Sequence, residues 1–172
     1  MLTAKLLLVY LLQAGSAVGL PVDVANVDPQ EAYCLAENIF YEARNEDISG
    51  QFAVASVTLN RTRDARFPST VCGVVEQTAH TRSNGLVCAF SWFCENNKKG
   101  KEIPVKNKDG SINQSIVDQF QVASIVAITV LSGSVEDNTY GAINFHNPSI
   151  SNPAWRHTMI RTVKLGNHTF YK

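Results

Sequence analysis

Asp28-Pro29-Gln30-Glu31-Ala32-Tyr33-Cys34-Leu35-Ala36-Glu37-Asn38-Ile39-Phe40-Tyr41-Glu42-Ala43-Arg44 is the stretch whose periodicity decides the fold. It opens as a helix should. Asp28 is a capping residue, Pro29 takes the first helical position, and Glu31 stands three residues after the cap. The helix is expected to run to about Arg44 or Asn45. Ala32, Leu35, Ile39 and Ala43 recur at helical spacing and mark the face turned to the core. At about 100° per residue, Glu42 falls within roughly 20° of Leu35 and about 60° of Ile39, whereas Glu37 falls on the far side. A carboxylate beside the apolar face is normally avoided, so Glu42 asks for a chemical reason.

Working outward, Ser49-Gly50-Gln51 starts a second helix, expected from Gln51 to about Arg63, with an apolar centre at residues 52–57. Phe67-Pro68-Ser69-Thr70 breaks the chain, and Val71 to Gln77 reads as a short helix. Residues 78–113 are polar apart from Ala89-Phe90-Ser91-Trp92-Phe93 and read as one long loop. A third long helix spans Gln114 to Leu131, with Gly133 ending it. Ala142-Ile143-Asn144-Phe145 and Thr162-Val163-Lys164-Leu165 read as strands. The second joins His168-Thr169-Phe170-Tyr171 through Gly166-Asn167, a hairpin turn signal. The fold class is α+β: one mainly helical domain with a small antiparallel sheet or hairpin in its C-terminal third.

On the N-terminal side, Lys5, the apolar run Leu6 to Leu12 and the small residues through Gly19 have the layout of a secretory signal. Gly15-Ser16-Ala17 or Ala17-Val18-Gly19 would supply the cleavage site. Residues 1–19 are therefore expected to be a signal peptide, 20–27 a linker and 28–172 the working domain. The product would be secreted or periplasmic. The competing reading is a buried helix of the folded domain. The apolar run is too short for a membrane span of roughly 20 residues, so no stable span is expected after cleavage.

A net charge of zero gives no reason to expect nucleic-acid binding. The C-terminal part is nonetheless basic: no Asp or Glu follows Gly141, while Arg156, Arg161, Lys164 and Lys172 are present. That surface would suit an anionic polymer, or it is a set of solvated charges. Cys34, Cys72, Cys88 and Cys94 allow three pairings in an oxidising compartment. Cys88 and Cys94 could close a small ring, leaving Cys34 with Cys72; free buried thiols are the alternative.

Taken in order, several pieces carry a family resemblance. Ala36 to Arg44, Gly50-Gln51-Phe52-Ala53-Val54-Ala55, Leu59-Asn60-Arg61, Phe67-Pro68, Phe90-Ser91-Trp92, Phe145-His146-Asn147-Pro148 and Gly166 to Tyr171 together resemble the SleB-type cell wall hydrolases, which include spore-cortex-lytic enzymes. The likeness covers about residues 31–172. It implies a lysozyme-like lytic enzyme acting on the β-1,4 bond between N-acetylmuramic acid and N-acetylglucosamine in peptidoglycan. It also implies a 1,6-anhydro product in members described as lytic transglycosylases, and a catalytic Glu in the E-A-R motif, here Glu42. Tyr140, Phe145 and His146 sit where that family places the opposite cleft wall. Family members often carry Tyr in this aromatic segment, where this chain has Phe145-His146.

The residues support the same chemistry independently. A glycosidic acid must still hold its proton when it meets the leaving oxygen, and apolar neighbours such as Leu35 and Ile39 would raise a carboxyl pKa. Pairing with Arg44 or Arg61 would lower it. Glu46 and Asp47 are the nearest second carboxylates, although their setting reads as a solvated helix end. A transglycosylase needs only one: the same Glu protonates the leaving group and then takes the proton of the sugar's 6-hydroxyl. Hydrolysis in the manner of lysozyme and a non-catalytic wall-binding module are the alternatives. For sugar binding, Phe90 and Trp92 offer flat apolar faces, unless they pack in the core. Gln51, Asn60 and Asn147 offer amides to N-acetyl groups, unless Asn60 ties a helix end. His146, His157 and His168 are evenly spaced but match no coordination pattern, so neither metal nor cofactor is expected. The protein is expected to act as a monomer.

Overall fold

The computed structural model describes residues 3–18, 24–80, 85–95 and 103–172. Helix α2 spans Pro29–Ala43 and is the centre of the molecule. The Asp28 carboxylate accepts from the backbone N–H groups of Gln30 and Glu31, as its capping chemistry requires. Glu31 does not complete a capping box. Its carboxylate crosses instead to the first turn of α4 (Val71–Val75) and accepts from Val71 N at 2.5 Å. Leu35, Ile39 and Ala36 are fully buried against α3 (Ile48–Thr62) and α6 (Gln114–Leu131). By length and apolar content α6 could cross a membrane, yet its Val117, Phe120, Ala123, Val126 and Ala127 fill the core.

The second helix begins three residues before its expected start. Asp47 caps it through a bond from Gly50 N at 2.7 Å, a capping signal that the Ser49-Gly50-Gln51 reading overlooked. Helix α4 stops at Val75 rather than Gln77. Helix α6 runs over Gln114–Leu131, and Gly133 follows with φ of 72°, the left-handed stop a glycine permits.

The long loop expected over 78–113 holds structure of its own. Thr78–His80 (β1) pairs antiparallel with Leu86–Cys88 (β2), and Ser91–Cys94 forms the single-turn α5. Part of that loop, 81–84 and 96–102, lies outside the described residues. The three-stranded sheet is ordered β3-β5-β4, with β3 at Asn144–His146, β4 at Arg161–Leu165 and β5 at His168–Tyr171. The β4–β5 turn uses Gly166 at φ of 55°; a Cβ there would collide with the Glu46 carboxylate. Strand β3 starts two residues later than the sequence pattern suggested. The sheet lies on α3 through Ala53, Val57, Ala142 and Phe170.

Two disulfides form, Cys34–Cys72 between α2 and α4 and Cys88–Cys94 around the aromatic cluster. At the N-terminus, Ala4–Val18 is helical (α1), with Ala4, Leu7 and Leu8 packed in the core beside α6 and Leu6, Val9 and Tyr10 exposed. Of the two expected cleavage sites, Gly15-Ser16-Ala17 lies within this helix and Ala17-Val18-Gly19 runs off its end; Gly19 together with linker residues 20–23 lies outside the described residues.

Candidate active site

A groove of about 530 Å³ runs between the C-terminal ends of α2 and α3 on one side and the loops bearing residues 89–95 and 145–155 on the other. Tyr41 and Glu42 reach it from α2, and Arg61 from the last turn of α3. Glu42 is partly buried, and its side chain has no hydrogen bond among the described residues. Burial pushes its pKa up to about 7; the Arg61 charge opposes that rise and the Glu95 charge adds to it.

Arg61 is 6 % exposed. Its Nε donates to Ile143 O at 2.7 Å and one Nη to Asn144 Oδ1 at 3.1 Å. The guanidinium lies between Phe67 and Phe90, 5.2 and 4.8 Å from their ring centres. Burial lowers its pKa to about 10 against the opposing pull of Glu42, so it stays charged at neutral pH. Among the described residues, Arg61 and Glu42 form no ion pair within 4.0 Å. Arg44 is turned onto its own helix, bonding Phe40 O at 3.3 Å and stacking on the Phe40 ring.

The structure redistributes the candidate sugar-binding residues. Phe90, Trp92, Phe145, His146 and Asn147 line the groove with Glu42. Phe90 and Trp92 are only 3 % and 5 % exposed, so most of each ring packs in the core. Trp92 Nε1 donates to Asn38 Oδ1 at 2.8 Å, and its indole stacks on Tyr41 at 4.5 Å. His146 holds Ser151 O at 3.0 Å and the Tyr171 hydroxyl at 3.1 Å. The Asn147 carboxamide accepts from Ser149 N within its own turn.

Gln51, Asn60 and Tyr140 do not line the groove. Gln51 is buried, and its Nε2 donates to Glu46 O at 3.3 Å. Asn60 Nδ2 holds Asp137 Oδ2 at 2.9 Å and Ala142 O at 3.0 Å, so it ties the 137–142 loop to the end of α3. Tyr140 takes φ of 59° in that loop and is exposed.

Glu46 and Asp47 are committed elsewhere too. Glu46 accepts from the backbone N–H and the carboxamide of Asn167, at 2.9 and 3.0 Å, and its carboxylate lies 3.9 Å from His168 Nδ1. Asp47 caps α3. The carboxylate that does share the groove with Glu42 is Glu95, in the loop, where no periodicity singled it out. Trp155 and His168 also line it unforeseen. His157 is exposed, and no group of three His, Cys, Asp or Glu side chains converges among the described residues.

Residues 45–171 match the family model described as Cell Wall Hydrolase. The chain belongs to that family. The matched span takes in every groove-lining segment except the end of α2, since it opens three residues after Glu42. The spore cortex-lytic enzymes of Oceanobacillus iheyensis and Bacillus cereus are 28% and 29% identical over 138 residues, 80% of this chain. The chain spans only 40% and 42% of their lengths. Among solved structures, the catalytic domain of the germination-specific lytic transglycosylase SleB from Bacillus anthracis superposes with a TM-score of 0.55 at 26% identity. The catalytic domain of Bacillus cereus SleB gives 0.54 at 30%. Each comparison covers 86% of this chain, and 98% and 94% of those domains. The SleB-type likeness and the mainly helical α+β fold expected from the sequence therefore both hold.

Proposed function

We propose that this cell wall hydrolase cleaves peptidoglycan glycan strands at the β-1,4 bond between N-acetylmuramic acid and N-acetylglucosamine, with Glu42 as the sole general acid and base. The observation that carries the reading is the Glu42 carboxyl, which faces the groove with its pKa raised to about 7. An ordinary carboxyl would be ionised at neutral pH and useless as an acid; this one retains its proton on a good fraction of molecules.

In the proposed reaction the C1–O4 bond of the muramic sugar breaks and Glu42 gives its proton to O4. The resulting carboxylate lies near the fixed positive charge of Arg61. It then accepts the proton of the same sugar's 6-hydroxyl as O6 closes on C1, which regenerates the acid and leaves a 1,6-anhydro end without consuming water. With Glu46 and Asp47 engaged in structural bonds, the groove carboxylate left for a hydrolytic second role is Glu95, and reducing ends in the products would give it that role. The SleB domain of Bacillus anthracis is itself described as a lytic transglycosylase. We further read residues 1–19 as an export signal, which would deliver a monomeric enzyme to the wall outside the cytoplasm.

Mass spectrometry of fragments released from purified peptidoglycan tests the reading. Anhydro-muramyl ends, lighter by one water than hydrolysed ends, are expected from the wild-type protein and none from Glu42→Gln. Reducing ends would overturn the transglycosylase route. Binding to walls without release of fragments would overturn the enzymatic reading itself.

A further inference from the structure

The proposed reaction leaves unused a second carboxylate that lines the groove among the described residues, Glu95. Glu95 closes α5, its backbone N–H donating to Ser91 O, and it follows directly on Cys94 of the small disulfide ring. This turn is fastened to the helix that bears Glu42 at two points, the Trp92–Asn38 hydrogen bond and the Trp92–Tyr41 stack. Tyr41 is the residue just before Glu42. The Glu95 main chain is thereby held opposite the acid, while its exposed carboxylate lines the same groove. That carboxylate has no side-chain hydrogen bond or ion pair among the described residues, in contrast to Glu46 and Asp47.

We propose that Glu95 is a positioning residue that acts through Glu42: its negative charge, in the same groove, keeps on Glu42 the proton that cleavage consumes. The inference rests on Glu42 being the acid. Among the described residues, each charged or titratable group that lines the groove beside Glu42 has a place in it. Arg61, from α3, favours the ionised carboxylate, and Glu95, from the loop, favours the acid; the raised pKa of Glu42 reflects burial first and then these two charges. His146, on β3, has both ring nitrogens occupied. Burial holds His168, on β5, below its ordinary pKa, although Glu46 pulls the other way. Tyr41 lies on α2 itself, and its hydroxyl is raised by burial and so stays neutral. Arg61 and Glu95 form a pair of opposed charges that leaves a single carboxyl able both to give and to take a proton near neutrality.

The test is the pH profile of wall lysis. Activity that needs protonated Glu42 falls as pH rises through the Glu42 pKa. Glu95→Gln removes a like charge, lowers that pKa and moves the falling limb to lower pH. A shift of roughly half a pH unit is the scale for two carboxylates facing each other across a wet groove. Lysis should be unchanged at pH 5 and about threefold lower at pH 8, with thermal stability at pH 5 and the products unaltered. Glu95→Asp should restore the wild-type limb. An unmoved limb in Glu95→Gln would overturn the inference. So would an equal loss at every pH, which would make Glu95 a group that touches substrate or activates water. Undiminished lysis by Glu42→Gln would instead overturn the assignment of the acid, so the two failures are told apart.

Discussion

The groove has two unlike walls. One is helical: Glu42 and Arg61 project from the ends of α2 and α3, whose Leu35, Ile39, Val54 and Val57 are all fully buried. The other is built from loops and short strands, where Phe90, Trp92, Phe145, His146 and Trp155 meet around a six-residue disulfide separation and a short 3₁₀ turn. The difference suggests a division of labour. A wall set in a packed core can hold a carboxyl partly out of water at fixed depth, which tunes its acidity; a loop wall offers area and shape to a long substrate.

The helical wall makes the larger prediction. Glu42→Gln should cost roughly 100-fold or more in wall lysis, the range for a lost general acid. The same substitution should stabilise the fold at alkaline pH. The pKa of Glu42 is raised on folding, from 4.5 to about 7, so its stabilising contribution is full below the unfolded value and is lost as pH rises through 7. Above that, the wild type carries a partly buried carboxylate that Gln does not. The gain should be on the order of 2 kcal/mol at pH 8, discounted for partial exposure. Thermal unfolding of both proteins at pH 5 and pH 8 would check it; equal gaps at the two pH values would show that Glu42 is not held in its acid form.

The two disulfides should separate the walls next. Cys34–Cys72 joins α2 to α4 across 38 residues, and its removal by a Cys34→Ser, Cys72→Ser double substitution should lower stability by about 4 kcal/mol on chain-entropy grounds. Cys88–Cys94 closes only 6 residues, and its loss should cost about 2 kcal/mol at most. Activity should show the reverse order at temperatures where both variants are folded. Loosening the ring frees Phe90, Trp92 and Glu95, and misplacement on the ångström scale costs roughly 10- to 100-fold. Denaturant titration and lysis rates on both double mutants decide the matter. A Cys88–Cys94 variant with full activity would show that the loop wall needs no clasp.

The same division explains what could be read from the sequence. The cap at Asp28, the placement of Glu42 beside Leu35, the extent of α6 and the Gly166-Asn167 turn all follow from local periodicity and turn chemistry, which involve neighbours a few residues away. The loop wall depends on partners that local pattern does not encode. Strands β1 and β2 are three residues each and mostly exposed, so no alternation marked them. Glu95 looked like any loop acid until Trp92 was found pinned to Asn38. Amides mislead in a particular way: Gln51 and Asn60 carry the same donors and acceptors whether they face a sugar or a backbone carbonyl. The partner that makes Asn60 a tie is Asp137, 77 positions further along the chain.

Asn60 therefore supplies the next test. If it is a tie, Asn60→Ala takes one of two donors from Asp137 Oδ2, which keeps Gly141 N, and the Asn60 donor from the buried Ala142 carbonyl, costing about 1–3 kcal/mol of stability. KM for soluble glycan fragments should stay within about twofold, because no contact with the groove is lost. A raised KM at unchanged stability would return Asn60 to the ligand role that its amide chemistry first suggested.

The smallest effect belongs to the outer edge of the loop wall. Ile150 lines the groove while 83 % exposed, and its backbone N–H, bonded to Asn147 O at 3.0 Å, holds its turn in place. An apolar side chain so exposed contributes little to folding, so Ile150→Ser should leave the unfolding temperature unchanged. A glycan lying along the groove would cover about half of it, a contribution of about 1 kcal/mol and hence a KM about fivefold higher for the variant. The turnover number should not move, because a rim contact is made equally in the bound and reacting substrate. If turnover falls instead, the rim contact strengthens as the sugar distorts. The loop wall would then touch the reacting sugar directly, beyond the indirect part that Glu95 plays through Glu42.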